Sequence, residues 1–260
     1  MTLENRLKSA LDSRKKRSLL RELKPFNEDL VDFSSNDFLS LRGDTTLRQL
    51  FLEEFSKTQY IGSGGSRLLD GNSVYAEELE KEICNAHNAE CALLFNSGYD
   101  ANTSVFSSIP QPGDIIVYDE YIHASVHNGM KLSRAARKIS FLHNSVNDLE
   151  LVLKNEIELN PSIRSNKASV FIALETVYSM DGDICPLLEI VELVNSLFPH
   201  NNGYVIVDEA HATGVIGVGL VSHLKLEDKI FIRIHTFGKA MACNGGKQIY
   251  LVISILNFQN

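Results

Sequence analysis

The sequence predicts an α/β protein in which a largely parallel sheet is covered by helices on both faces. Short apolar runs recur along the chain, stretches with helical spacing separate them, and polar groups follow directly after most of the runs. Continuous apolar strands are typical of parallel sheets that are buried on both faces. Alternation with helices supplies the crossover connections that parallel strands need.

The N-terminal part begins with helical patterns. An amphipathic helix, closed by Pro25, is predicted by apolar residues at three-to-four spacing, namely Leu3, Leu7, Leu11, Leu19, Leu20 and Leu23. We then expect a short strand at 31–33, a helix at 47–55 and a glycine-rich loop, IGSGGSR, at 61–67.

Strands and helices alternate after that loop. Strands are predicted at 91–95, 115–118, 138–142, 170–174, 204–207 and 230–234, and helices at 75–83, 98–108, from about 125, at 146–159 and at 187–198. Residues 250–256 are apolar enough for one more strand. We therefore expect an N-terminal helix and arm at 1–45, a large domain at 46–245 and a divergent tail at 246–260.

Composition narrows the class of protein. The chain has 260 residues, 44% of them hydrophobic and 22% charged, which is typical of an ordinary globular protein. A net charge of -8 argues against a nucleic-acid partner. No apolar run approaches the roughly 18 residues of a membrane span. The N-terminus lacks a secretory or transit pattern, so we expect a cytoplasmic protein, with the peroxisome and the mitochondrion as alternatives. Four scattered cysteines predict reduced thiols.

Polar side chains follow five of the predicted strands. They occur in the stretches NSGY at 96–99, DEYIH at 119–123, ETVYS at 175–179, DEAH at 208–211 and HTFGK at 235–239. Ligands of parallel sheets bind beyond the carboxyl ends of the strands. These side chains are therefore expected to line one site at one edge of the sheet.

Two other kinds of site could use the same residues. The letters DEAH occur in helicases, but a helicase also needs a GxxxxGK[ST] phosphate loop, and Lys239 is followed by Ala240. A metal site is not expected, because His123 and His127 stand four apart without an HExxH pattern or a third ligand.

An aldehyde cofactor with a pyridine ring and a phosphate suits the strand ends better. Such a cofactor needs a lysine amine, a carboxylate for the ring nitrogen and amides at a helix start for the phosphate. Lys239, Asp208 and the turn at 97–99 could supply these groups. Each has a simpler alternative: a surface lysine, a helix cap and core packing of Tyr99.

The sequence blocks resemble those of the α-oxoamine synthases. The blocks are IGSGGSRLLDG, NSGYDAN, HASVHNGM, SMDGD, VDEAHATGVIG and TFGK, in order from about residue 11 to residue 245. The family consists of fold type I enzymes dependent on pyridoxal 5'-phosphate (PLP), which join an amino acid to an acyl-CoA with loss of carbon dioxide. DEYIHASVHNGMKLSRA most resembles the member that serves biotin synthesis, with L-alanine and a pimeloyl-CoA-like substrate. Sibling members are glycine C-acetyltransferase, 5-aminolevulinate synthase and serine palmitoyltransferase subunits.

The resemblance implies roles for individual residues. These are Lys239 as the Schiff-base lysine and proton carrier, Asp208 as partner of the ring nitrogen, His123 as the group stacked on the ring, His211 and Ser179 as partners of the ring hydroxyl, Thr236, Ser97, Gly98 and Tyr99 as phosphate ligands, Asn36 beside the substrate and Arg21 where acyl-CoA enters. The family also implies a homodimer with the site at the subunit interface.

After residue 245 the resemblance stops. Members of the family continue into a small C-terminal domain that supplies an arginine for the substrate carboxylate. From the sequence we therefore expect a chain truncated after the lysine block, which binds the cofactor weakly and turns over poorly. The alternative to an active synthase is a non-catalytic relative or a partner subunit.

Overall fold

The computed structural model describes residues 1–23, 25, 27, 29–60, 62–243 and, for the backbone alone, 251–255. Residues 24, 26 and 28 of the predicted N-terminal helix and arm, 61 of the glycine-rich loop, 244–245 at the end of the predicted large domain, and 246–250 and 256–260 of the predicted tail lie outside the described residues. The chain divides into two compact units, Met1–Ser35 and Asn36–Asn260. None of the described helices is long and apolar enough to cross a bilayer.

Among the described residues of the first unit, Leu3–Lys16 form the helix α1. The amide of Ser18 donates to the carbonyl of Lys15 (3.0 Å), and the amide of Leu19 donates to that of Arg14 (2.8 Å). Ser18 has a φ of 56°. This is a Schellman ending, in which a left-handed residue closes the last turn. The prediction that the helix continues to residue 23 is therefore wrong.

The predicted strand at 31–33 is also wrong, because these residues have no strand pairing. Val31 is 78% exposed and Phe33 is 93% exposed. A run of three residues buries too little surface to order itself without a neighbouring strand.

The second unit contains the sheet. Its helices are α2 (Thr45–Ser56), α3 (Val74–Ala86), α4 (Gly98–Ser108), α5 (Ala124–Leu132), α6 (Val146–Leu159), α7 (Pro161–Arg164), α8 (Leu187–Leu197) and α9 (Leu220–His223), with a 3-10 turn at Leu41–Gly43. Its strands are β1 (Cys91–Phe95), β2 (Ile115–Asp119), β3 (Arg137–Phe141), β4 (Val170–Glu175), β5 (Gly203–Asp208), β6 (Ile232–His235) and β7 (Leu251–Ile255). The long helices and the strands from β1 to β6 lie within a few residues of their predicted positions.

The strands form one sheet in the order β1-β7-β6-β5-β4-β2-β3. Strands β3, β2, β4, β5 and β6 pair in parallel. Strand β7 lies between β1 and β6 and runs antiparallel to both. The strand expected at 250–256 forms over its described residues, 251–255, and the prediction of a largely parallel sheet is confirmed.

Helices cover both faces of this sheet. Val117 and Ile172 pack on one face with the buried side chains of α6 and α8. Their neighbours Ile116 and Phe171 pack on the other face with α4 and α5. Successive side chains of a strand point to opposite faces, so both sets are buried.

The parallel strands bring four polar residues to one edge of the sheet. Asp119, Glu175, Asp208 and His235 are the last residues of β2, β4, β5 and β6, and none is more than 8% exposed. Buried ionisable groups at the carboxyl ends of parallel strands mark a candidate site.

Candidate active site

Lys239 lies in the turn after β6, where its amine meets an imidazole. Lys239 Nζ is 2.8 Å from His211 Nε2. Burial lowers the pKa of Lys239. The nearby carboxyl groups of Asp208 and Glu175 partly offset this shift. Burial, followed by the Lys239 charge, lowers the pKa of His211 to about 4. At neutral pH the imidazole is therefore neutral, and its Nε2 can accept a hydrogen bond from the amine.

Asp208 is held in one orientation by two donors. Its Oδ2 accepts from Asn102 Nδ2 at 2.7 Å, and its Oδ1 accepts from the amide of Ala210 at 2.9 Å. Asn102 lies on α4 and is 1% exposed. Sequence reasoning missed Asn102, although it is the polar residue among the buried residues of α4, which otherwise are Ala101, Val105 and Phe106.

Glu175 is a second carboxyl group beside Asp208, and sequence reasoning did not single it out. The two residues are register partners on β4 and β5. Burial, and then the Asp208 charge, raises the pKa of Glu175 to about 8, although the Lys239 charge and a hydrogen bond from the His123 backbone oppose the shift. At neutral pH Glu175 therefore keeps its proton.

His123 begins helix α5 at the same edge. Its Nδ1 is 2.7 Å from Ser125 Oγ and accepts the amide of Ser125 at 3.3 Å. The ring of Tyr99 meets it edge-on, with 6.2 Å between ring centroids and 83° between planes. The hydroxyl of Tyr99 in turn accepts from Asn128. These contacts fix the ring through its Nδ1 side.

The start of α4 can bind an anion. Ser97 is the N-cap, and its Oγ accepts the amide of Asp100 at 3.0 Å. The amides of Gly98 and Tyr99, in the first turn, have no carbonyl partner within a helix. Two free amides and the positive end of the helix dipole favour a negatively charged group.

The other predicted site residues make fewer contacts with the residues around Lys239. Thr236 Oγ1 accepts the amide of Gly238 at 3.4 Å. Ser179 is exposed, and within the described part of the chain no hydrogen bond joins it to the residues around Lys239. Asn36 is exposed in a bend, and Arg21 is exposed in the unit Met1–Ser35. Their assigned contacts stay predictions.

Residues 28–252 match the family model of aminotransferase class I and II. The 8-amino-7-oxononanoate synthase of Emericella nidulans is 55% identical over 249 residues, which are 94% of this chain and 60% of that protein. The aminoacyl transferase sphA of Byssochlamys spectabilis is 47% identical over 220 residues, 83% of this chain and 47% of that protein. The chain thus spans about half to three fifths of these relatives.

Solved structures share the fold. A serine palmitoyltransferase from S. paucimobilis with a bound PLP-myriocin aldimine superposes with a TM-score of 0.80, at 24% identity, over 100% of this chain and 65% of that chain. An 8-amino-7-oxononanoate synthase from Francisella tularensis gives 0.65, at 26% identity, over 89% and 60%. The predicted fold type I large domain is confirmed. The chain therefore belongs to the aminotransferase class I and II family and, within it, to the α-oxoamine synthases.

Proposed function

We propose that this chain carries the PLP-binding large domain of an α-oxoamine synthase, which condenses an amino acid with an acyl-CoA and releases carbon dioxide. The observation that carries the proposal is the approach of Lys239, His211 and Asp208 at one sheet edge. Family membership and the activities of the relatives support it.

The described residues fit PLP. Each oxygen of Asp208 has one protein donor, and a carboxylate oxygen can accept a second hydrogen bond, so a ring N–H can be held there. The amine of Lys239 contacts a neutral imidazole and has a lowered pKa, which favours nucleophilic attack at neutral pH. The free amides of Gly98 and Tyr99 suit a phosphate.

Bound PLP would supply an aldehyde for the lysine and a ring that takes up electrons when its nitrogen is protonated. Asp208 would keep the proton on that nitrogen. Lys239 would take the α-proton of the amino acid and return it, and His211 would orient the lysine. His123 would cover the ring, with Thr236 and Ser179 as further polar contacts.

We infer that the substrates are L-alanine and a pimeloyl-CoA-like thioester, as in 8-amino-7-oxononanoate synthase. The identity of 55% to the Emericella nidulans enzyme supports this choice. The second candidate is a sibling synthase, favoured by the identity of 47% to an aminoacyl transferase. A non-catalytic partner subunit is the third. Arg21 and Asn36 are proposed as substrate contacts.

The homodimer that the resemblance implies is also a proposal. It is supported by α2, which has no buried residue. Leu47, Leu50 and Phe51 lie three and four residues apart on one side of this helix and are each at least 40% exposed, and exposed apolar patches mark interaction sites. Light scattering of the wild type and of Phe51→Glu tests the proposal, with a dimer expected for the wild type and loss of association for the variant.

Cofactor binding tests the proposed function most directly. We expect the purified chain to develop an absorbance band when PLP is added. Borohydride reduction should then attach the cofactor covalently to Lys239, and a peptide map should locate this label. Lys239→Ala should lose the label, whereas Lys229→Ala, at an exposed lysine paired with Asp228, should keep it. A label spread over several lysines in the wild type would contradict the proposal.

Substrate choice is tested by release of free CoA. Alanine, glycine and serine are each paired with a dicarboxylic and a long-chain acyl-CoA, and the thiol product is measured. Alanine with the dicarboxylic thioester should react fastest. Preference for serine with the long-chain acyl-CoA would favour a sibling synthase. A labelled Lys239 without CoA release would favour the partner subunit.

A further inference from the structure

A second group of ionisable side chains lies next to the candidate active site and has no role in it so far. Glu209, Arg233 and His235 are each 0% exposed, and His87 is 4% exposed. Glu209 follows Asp208 at the end of β5, and His235 ends β6 just before Thr236. The group therefore joins the strand end that carries Asp208 to the strand end that leads to Lys239.

Thr213 fixes the tautomer of His235. Its hydroxyl lies 2.7 Å from the backbone carbonyl of Glu209 and 2.9 Å from His235 Nδ1. A carbonyl can only accept, so the single hydroxyl proton goes to Glu209. His235 Nδ1 must then be the donor to Thr213. If the imidazole is neutral, its Nε2 therefore carries a lone pair.

That Nε2 faces a carboxyl oxygen. His235 Nε2 and Glu209 Oε2 are 3.6 Å apart, and neither atom has a hydrogen-bond partner among the described residues. The other oxygen of Glu209 accepts the amide of Val221 at 3.0 Å. Two buried lone pairs that face each other are unfavourable. One proton between them, with an approach closer than the observed separation, would give both atoms a partner.

Other charged groups surround the pair. Arg233 on β6 interacts electrostatically with both Glu209 and His235. Asp208 on β5 interacts in the same way with Glu209, and His87, after α3, interacts with His235. The rings of His87 and His235 are 4.1 Å apart. Glu227 acts on Arg233. Because Arg233 and His87 stand beside His235, a second positive charge on its imidazole would be costly.

We propose that Glu209 and His235 are a positioning pair in which the protonated carboxyl of Glu209 serves His235 Nε2 and ties the strand end of Asp208 to that of Lys239. Two further contacts hold the same connection. The amide of Glu209 donates to the carbonyl of Ile234 at 2.7 Å. Gly219 also packs against the Glu209 carboxyl so closely that a Cβ there would overlap it.

The acid-base properties agree with this geometry. Burial raises the pKa of Glu209 to about 7, with Val221 and Arg233 opposing the shift. Burial, His87 and Arg233 lower the pKa of His235. Glu209 is therefore the member that binds a proton near neutral pH.

Two substitutions at position 209 test whether this residue acts as a neutral donor to His235 or must carry a negative charge. Glutamine is a neutral donor, and methionine has neither a donor nor a charge. Glu209→Gln keeps an acceptor for Val221 and an N–H for His235, so its Tm should stay close to that of the wild type below pH 6. Glu209→Met leaves the Nε2 of His235 without a donor and should lower the Tm by about 10 °C. Glu192→Gln, at an exposed position of α8, is the matched control.

The pH profile is a readout that packing alone would not change. A raised pKa in the folded chain adds stability below the ordinary pKa of 4.5, and this stability is lost as the pH rises through about 7. The Tm of Glu209→Gln minus that of the wild type should therefore grow between pH 5 and 8. A Glu209→Gln variant as unstable as Glu209→Met would overturn the proposal.

Nitrogen-15 NMR of histidine-labelled chain, with His235 assigned from His235→Gln, gives the tautomer directly. A protonated Nδ1 and an unprotonated Nε2 at pH 6 are expected, and the opposite tautomer or a doubly protonated ring would overturn the pair. PLP affinity, which rests on the proposed function, is a separate measurement: Glu209→Met should weaken it and Glu209→Gln should not. The Tm and NMR results stand even if the chain does not bind PLP.

Discussion

Glu175→Gln should make the stability of this chain less sensitive to pH. Glu175 is 4% exposed and faces Asp208 and Lys239. Glutamine has nearly the same shape and keeps an acceptor for the backbone of His123, but it cannot ionise. The variant therefore isolates the cost of ionising this buried carboxyl group.

The size of the effect follows from the pKa. The Glu175 pKa rises from 4.5 to about 8 on folding, and each tenfold change in proton affinity corresponds to about 1.4 kcal/mol. Between these two pH values the folded chain binds a proton that the unfolded chain does not. The free energy of unfolding therefore falls as the pH rises, by up to roughly 5 kcal/mol from this group.

Urea denaturation of both proteins at several pH values between 5 and 9 measures the effect. The free energy of unfolding of Glu175→Gln, minus that of the wild type, should grow steadily and level off above pH 8. Glu192→Gln, which changes an exposed carboxylate on α8, should show no such growth. A difference that stays constant across the range would refute the reasoning.

Three further changes test the neighbouring contacts. Asn102→Ala removes a hydrogen bond to the Asp208 carboxylate, so PLP affinity, measured by absorbance titration, should fall by about tenfold or more. Gly219→Ala adds a Cβ that overlaps the Glu209 carboxyl, and urea denaturation should show a loss of several kcal/mol. His211→Gln should remove the acid-side loss of stability between pH 6.5 and 4, up to about 3 kcal/mol, because the pKa of His211 is lowered to about 4.

Each of these changes has a matched control. Asn155→Ala, exposed on α6, should leave PLP affinity unchanged. Gly113→Ala has a φ of +102° but open space around the new Cβ, so it reports backbone strain alone and should cost less than Gly219→Ala. His200→Gln, at an exposed histidine, should keep the acid-side slope. Equal effects of a change and its control would contradict the contact in question.

The central strands of the sheet, β2, β4, β5 and β6, were predictable because they are largely buried on both faces. Val117 and Ile116 belong to opposite cores, so no polar residue interrupts the run, and the strand is visible as a continuous apolar segment. The long helices between the strands were predictable because each has one apolar face, whereas the four-residue helices α7 and α9 are too short to show such a pattern and were not predicted. The strand ends then located the candidate site through the rule for parallel sheets.

The errors occur where local pattern and tertiary packing disagree. The leucine spacing continues to Leu23, but Ser18 adopts a left-handed conformation and ends the helix. A serine at that position gives little warning, since glycine is the usual residue there. Glu175 was placed at the sheet edge without a role, and Asn102 was missed, because their importance comes from the register of β4 with β5 and from the packing of α4.

Strand β7 has a consequence for how the chain reaches its folded state. It separates β1 from β6, so the edge strand near the beginning of the sheet is hydrogen-bonded to the rest through the last described segment of the chain. Contacts between such distant parts of a sequence form slowly. During synthesis, the backbone groups of residues 91–95 that pair with β7 therefore stay unpaired until residues 251–255 have left the ribosome. In that interval, association of this strand with another chain competes with folding.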